Sequence, residues 1–244
     1  VWGMKYTMMG LLHAGDEKSL AAAKRLCDYL IAEIGPNGRR GRAVWQTGSW
    51  CGMPSSSVLE PVVWLYRRTG EAKYLDFAAF IVKGLVEPEE GPRLVDLALR
   101  GVKVAERNGY GFKVKEDPVP KRHSRLKAYE EMSCYQGLLD YVEVKRKDGK
   151  VKSSELEGLF RAAVMTAREI AADEVNLAGG CSRCEEWFGG ASKQHLPAFR
   201  LQETCVTITW MRLTAKLLEM TGDLFWADEL EKTFYNAYLA ALKP

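Results

Sequence analysis

Apolar residues recur along most of the chain at the three- and four-residue spacing of a helix face. Val58, Val62, Leu65 and Tyr66 mark one such face, and Leu75, Ala79, Val82 and Leu85 mark the next. Further stripes run through 20–34, 129–142, 156–170, 207–220 and 225–242. Polar–apolar alternation is convincing only at Gly111-Phe-Lys-Val-Lys115, the one strand expected. A short connector returns between stripes, as His13-Ala-Gly-Asp16, Arg68-Thr-Gly-Glu71 and Met220-Thr-Gly-Asp223, and more loosely as Lys147-Asp-Gly149. In each, Gly suits the left-handed residue that ends one helix, and the acid after it suits the positive start of the next. Such connectors predict antiparallel helical hairpins, and repeated hairpins form an open solenoid or a closed ring. The uneven inserts at 35–55, 87–121 and 176–202 hold most of the Gly, Pro, Trp and His residues. Loops of that kind would gather at one end of a ring, which favours a closed α/α barrel.

Composition narrows the function without naming it. The 244 residues suffice for one large domain, and 47% hydrophobic with 27% charged is ordinary for a globular protein. The 35 basic and 32 acidic residues are interspersed, so no basic face is offered to nucleic acid. No apolar run approaches the roughly 20 residues of a membrane span. Neither nucleic acid nor membrane is therefore an expected partner. Residue 1 is Val, no leader-like segment comes after it, and the last residues directly adjoin an amphipathic stripe. A piece of a longer polypeptide is expected, which leaves the compartment open.

Candidate chemistry concentrates in Gly179-Gly-Cys-Ser-Arg-Cys-Glu-Glu-Trp-Phe-Gly-Gly190, His195-Leu-Pro197 and Gln202-Glu-Thr-Cys205. Cys181 and Cys184 are spaced to reach one tetrahedral ion. Glu203 and Cys205 would fall at a helix start, where the dipole favours the thiolate that binds metal. Plain reduced thiols with a capping Glu explain the same residues. Glu186 beside Trp187 and Phe188 is a candidate acid with a raised pKa, or else a solvated carboxylate whose neighbours pack inward. The two aromatics suit a core as well as a platform for a sugar face. Of the remaining cysteines, Cys27 and Cys134 fit buried helix positions and Cys51 lies in a loop.

The run Glu186-Trp-Phe-Gly189, His195-Leu-Pro-Ala-Phe199 and Gln202-Glu-Thr-Cys205, with Trp210 behind it, resembles the core signature of glycoside hydrolase family 127. These are the β-L-arabinofuranosidase-like proteins. Lys5-Tyr-Thr-Met-Met-Gly-Leu-Leu12, Ser55-Ser-Ser-Val-Leu-Glu-Pro61, Lys127-Ala-Tyr-Glu-Glu-Met-Ser-Cys134 and Tyr235-Asn-Ala237 look like further family blocks in the family's order. The resemblance implies an all-α (α/α)6 barrel, a six-hairpin toroid left incomplete in residues 1–244. The rest of the barrel and the β-sandwich domains would lie outside the chain. It implies retaining hydrolysis of an L-arabinofuranoside or related pectic glycan, with a zinc-bound cysteine thiolate as nucleophile and a glutamate as acid/base.

By motif position Glu186 matches the acid/base, and Glu203 and Cys205 match two zinc ligands. The family's nucleophile and fourth ligand are an adjacent Cys-Cys pair farther on, and no such pair occurs here. Cys181 and Cys184 are outside the signature and would serve only as substitute ligands. Ser57 and Lys127 stand where arabinofuranosidases of the family carry histidines, and Tyr129, Trp187 and His195 complete the expected sugar contacts. A helix cap and a surface lysine are the plain readings of Ser57 and Lys127. Two rivals remain. An α/α-barrel epimerase or lyase would need a His or Tyr base, and only three histidines occur. A non-catalytic carbohydrate-binding barrel would bind sugar without turnover.

Overall fold

A computed structural model of the chain describes residues 1–87, 91–109, 127–149, 153–182, 185–194 and 202–242. The expected strand at 111–115 lies outside them, as do Cys184 and His195. The described residues are helical almost throughout and contain no strand, only isolated bridges between Lys127 and Glu186 and between Val175 and Cys181. They divide into two compact units, Val1–Asp96 with Gly137–Phe160, and Leu97–Gln136 with Arg161–Pro244.

The first unit starts with the hairpin of α1 (Trp2–Ala14) and α2 (Glu17–Ile34). Gly15 adopts φ 73° and its N–H donates to the Leu11 carbonyl, while Asp16 caps α2 by accepting from the Ser19 N–H at 2.9 Å. After the short helix α3 (Met53–Ser56), α4 (Leu59–Thr69) and α5 (Ala72–Val86) form the second hairpin through Gly70 at φ 68°. Thr69 Oγ1 accepts from the Glu71 N–H at 3.2 Å. Glu71 itself does not cap α5; its carboxylate pairs with Lys24 and Lys73 instead. Leu12, Cys27, Leu30, Val62, Leu65, Phe77 and Ile81 fill the space between the hairpins, and Lys5 and Glu60 are buried as a pair 3.8 Å apart. Such burial contributes about 1.5–3 kcal/mol for each large apolar side chain. The insert ahead of α3 is pinned by Trp45, whose ring sits so close to Gly84 that a Cβ there would approach it to 2.5 Å.

Next, α6 (Leu94–Leu99), α7 (Ala128–Asp148) and α8 (Ser153–Glu169) run through the points at which the units are divided. In the first unit Gly137 of α7 lies against α4, where an added Cβ would stand 2.8 Å from the Glu60 backbone nitrogen. Trp64 Nε1 donates to Asp140 at 2.7 Å, and Arg67 pairs with Asp140 and Glu143. In the second unit α8 ends in a π turn at Ile170–Glu174, and α9 (Thr204–Thr221) pairs with α10 (Leu224–Lys232). Gly222 at φ 66° closes α9, the Thr221 hydroxyl accepts from the Asp223 N–H at 3.1 Å, and Asp223 caps α10 through the Phe225 N–H at 3.0 Å. Trp210, Leu213, Leu217 and Trp226 are its buried centre. The chain continues from α10 through a second π segment, Thr233–Tyr238, into α11 (Leu239–Ala241). No helix among the described residues is long and apolar enough to cross a membrane.

Candidate functional site

The second unit brings together two stretches that the sequence keeps some sixty residues apart: the start of α7 and the loop beyond α8. The loop begins tightly. Val175 bridges to Cys181, and Asn176 Oδ1 accepts from the N–H groups of Ala178 at 2.9 Å and Gly180 at 3.0 Å. Ser182 (φ 72°) and Glu185 (φ 60°) then take left-handed backbone that costs a non-glycine residue free energy. Glu185 is held there by both backbone groups. Its carbonyl accepts from the Ala128 N–H at 2.7 Å, and its N–H donates to the Glu203 carboxylate. Its side chain pairs with Lys127. Next to it, Glu186 forms the antiparallel bridge with Lys127, and the Glu186 carbonyl accepts from Ser182 Oγ at 2.9 Å. Glu186 is half-buried, in contrast to Trp187 and Phe188, which are 4% and 2% exposed.

Two buried carboxylates grip the run from Trp187 to Gly190. Glu131, fully enclosed in α7, accepts from Trp187 Nε1 at 2.9 Å and from Arg107 Nη1 at 2.5 Å. Arg107 also reaches Tyr135 Oη at 3.1 Å and Thr166 Oγ1 at 3.2 Å. Burial raises the Glu131 carboxyl above its ordinary range, against the pull of Arg107 and the indole N–H. Glu174, at the end of the π turn, accepts from the N–H of Gly190 at 2.8 Å and of Gly189 at 3.1 Å. Burial pushes its pKa up to about 7, opposed by those backbone donors.

Glu203 and Cys205 stand where the sequence places them, at the N-cap and in the first turn of α9. The expected lowering of the thiol is not found. Burial first, and then the carboxylates of Glu203 and Glu185, raise the Cys205 thiol against the backbone N–H groups at the helix start, which pull it down. Burial raises Glu203 as well, against the Glu185 N–H that its carboxylate accepts. Among the described residues no group of three or more His, Cys, Asp or Glu is assembled to hold a metal. Cys181 is fully buried, and burial holds its thiol well above the ordinary value.

The other expected site residues are scattered in their roles. Tyr129 is half-buried in the first turn of α7. Ser57 belongs to the first unit, is fully buried, and donates its hydroxyl to the Pro54 carbonyl at 2.8 Å. Trp187 offers no open ring face for a sugar: its ring is enclosed and its N–H is committed to Glu131. Arg107, Glu131 and Glu174 were missed by sequence reasoning. Glu131 carried a readable signal, since Glu131, Tyr135, Leu138 and Val142 share one helical stripe, an acid on an otherwise buried face.

Comparison with known proteins gives the context. Residues 1–244 match the family described as beta-L-arabinofuranosidase, GH127 catalytic domain. A solved GH127 β-arabinofuranosidase superposes with a TM-score of 0.51 at 16% identity, covering 99% of this chain and 44% of its own. A crystal structure of a GH127 β-L-arabinofuranosidase from Geobacillus stearothermophilus T6 gives a TM-score of 0.46 at 16% identity, covering 98% and 46%. The chain thus spans less than half the length of either. No curated protein matches it. The first of these likenesses shows the fold, which is all-α and part of an (α/α)6 barrel.

Proposed function

Because this chain belongs to the β-L-arabinofuranosidase family with the GH127 catalytic domain, we propose that it is part of a retaining glycoside hydrolase acting on L-arabinofuranosides or related pectic glycans. The observation that carries the reading is the bridge and ion pair by which Lys127 meets the Glu185–Glu186 segment beside Glu203 and Cys205. Glu186 is the general acid/base of this proposal. Its carboxyl gives a proton to the glycosidic oxygen as the bond to the anomeric carbon breaks and a cysteine thiolate bonds that carbon. Its carboxylate then takes a proton from the water that displaces the sulfur. Lys127 and Tyr129 are the proposed sugar contacts on the neighbouring segment.

Glu203 and Cys205 are the residues here that would hold zinc, and their chemistry fits. The carboxylates of Glu203 and Glu185 beside the Cys205 thiol, which add to the effect of burial in raising it, are charges that a divalent cation would offset. When bound, zinc would keep a coordinated thiol deprotonated at neutral pH. The attacking thiolate and the remaining ligand are proposed to come from a Cys-Cys pair outside these 244 residues.

Elemental analysis of the full-length protein, never exposed to chelators, is the test of the metal. One zinc per chain is expected, and none would overturn the thiolate mechanism. Glu186→Gln should cut turnover of an arabinofuranoside with a sugar leaving group by about 100-fold or more. Unchanged turnover would remove Glu186 from the chemistry.

A further inference from the structure

We propose that Glu131 is a positioning residue for Glu186, acting through the Trp187 indole, with Glu174 holding the other side of the same segment. The inference rests on the reading of Glu186 as acid/base.

A general acid acts only from a fixed place, yet Glu186 lies in a loop rather than in a helix. Its own backbone is tied on one side, through the bridge to Lys127 and the Ala128–Glu185 bond at 2.7 Å. On the other side the next residue, Trp187, donates to Glu131 Oε2 at 2.9 Å from inside the core. Two and three residues farther on, Glu174 accepts from the N–H groups of Gly189 and Gly190, which ties down the far end of the run. Glu131 is a strong anchor because Arg107 supplies the compensating charge at 2.5 Å and is itself fixed by Tyr135, Thr166 and the Val102 carbonyl.

The test uses the full-length protein and two probes, 4-nitrophenyl and methyl β-L-arabinofuranoside. The nitrophenolate leaves without a proton, whereas the methoxide needs one. Trp187→Phe keeps an aromatic ring but deletes the N–H together with the pyrrole half of the indole, a loss of volume that would tell on both probes alike. Beyond that shared loss, it should lower kcat on the methyl glycoside by about tenfold, with KM unchanged, a difference that bond cleavage in the nitrophenyl substrate does not show. Combined with Glu186→Gln it should add nothing to that difference, since the acid it positions is gone. Glu131→Gln, which keeps an acceptor for the indole, should fall between wild type and Trp187→Phe. An equal loss on both probes, or an additive difference in the double variant, would mean a merely structural role and overturn the inference. A Glu186→Gln variant with no leaving-group dependence would sink the acid/base assignment instead, and the positioning role with it. Wild-type protein inert toward both probes would do the same.

Discussion

Glu174 is one carboxylate whose environment sets a measurable pH response. Its folded pKa of about 7 lies above the ordinary 4.5, so between those values the folded state binds a proton that the unfolded chain releases. Its contribution to stability is therefore full below about pH 4.5 and is lost as the pH rises through 7, by at most about 3 kcal/mol. Glu174→Gln, which keeps an acceptor oxygen for Gly189 and Gly190, should flatten this part of the stability profile. Denaturant midpoints of both proteins across that range check it, and parallel curves would show that Glu174 does not carry the response. Part of the chemistry at this scale was open in the sequence and part was not. Glu203 and Cys205 could be placed at a helix start from their spacing alone. The direction in which Cys205 titrates could not, because it is set first by burial and then by Glu203 and Glu185, and neither the burial nor the approach of Glu185 is encoded in periodicity. The enclosure of Trp187 was equally hidden, since its partner Glu131 lies 56 residues away in sequence.

Helices and their connectors were the most legible level. Three Thr-Gly or Ala-Gly connectors read as hairpin turns are hairpin turns, each with glycine in the left-handed region. The acid expected at each helix start caps it at Asp16 and Asp223, and departs from expectation only at Glu71, which makes no side-chain cap. The π turn at Ile170–Glu174 was invisible, because one extra residue per turn leaves an apolar stripe almost intact. Glycines at this level divide into two kinds with different costs. At Gly222 an added Cβ meets nothing within 4 Å, so Gly222→Ala should cost only the backbone term, about 1 kcal/mol. At Gly137, on the α7–α4 contact, the same methyl meets the Glu60 backbone at 2.8 Å and the Leu59 side chain at 3.0 Å. Gly137→Ala should therefore push two helices apart and cost about 2–3 kcal/mol despite improving helix propensity. Thermal melts of the two variants decide the order, and a smaller loss for Gly137→Ala would contradict the packing described.

For the molecule as a whole, the all-α architecture came from periodicity and connectors, while the family came from ordered motif blocks and not from any physical pattern. Catalytic completeness is a separate matter. No adjacent cysteine pair occurs in these 244 residues, so residues 1–244 expressed alone should not hydrolyse 4-nitrophenyl β-L-arabinofuranoside. Release of nitrophenolate above background would place the nucleophile among the six cysteines present. The way the chain is distributed carries one more consequence. Each unit is assembled from two separate stretches, and the divisions fall within α6 between Asp96 and Leu97, within α7 between Gln136 and Gly137, and within α8 between Phe160 and Arg161. Neither unit is one contiguous segment, and any segment that contains a whole unit also carries part of the other. Trimming from either terminus therefore removes part of one unit without freeing the other, and a minimal version of this protein cannot be reached by deletion from its ends.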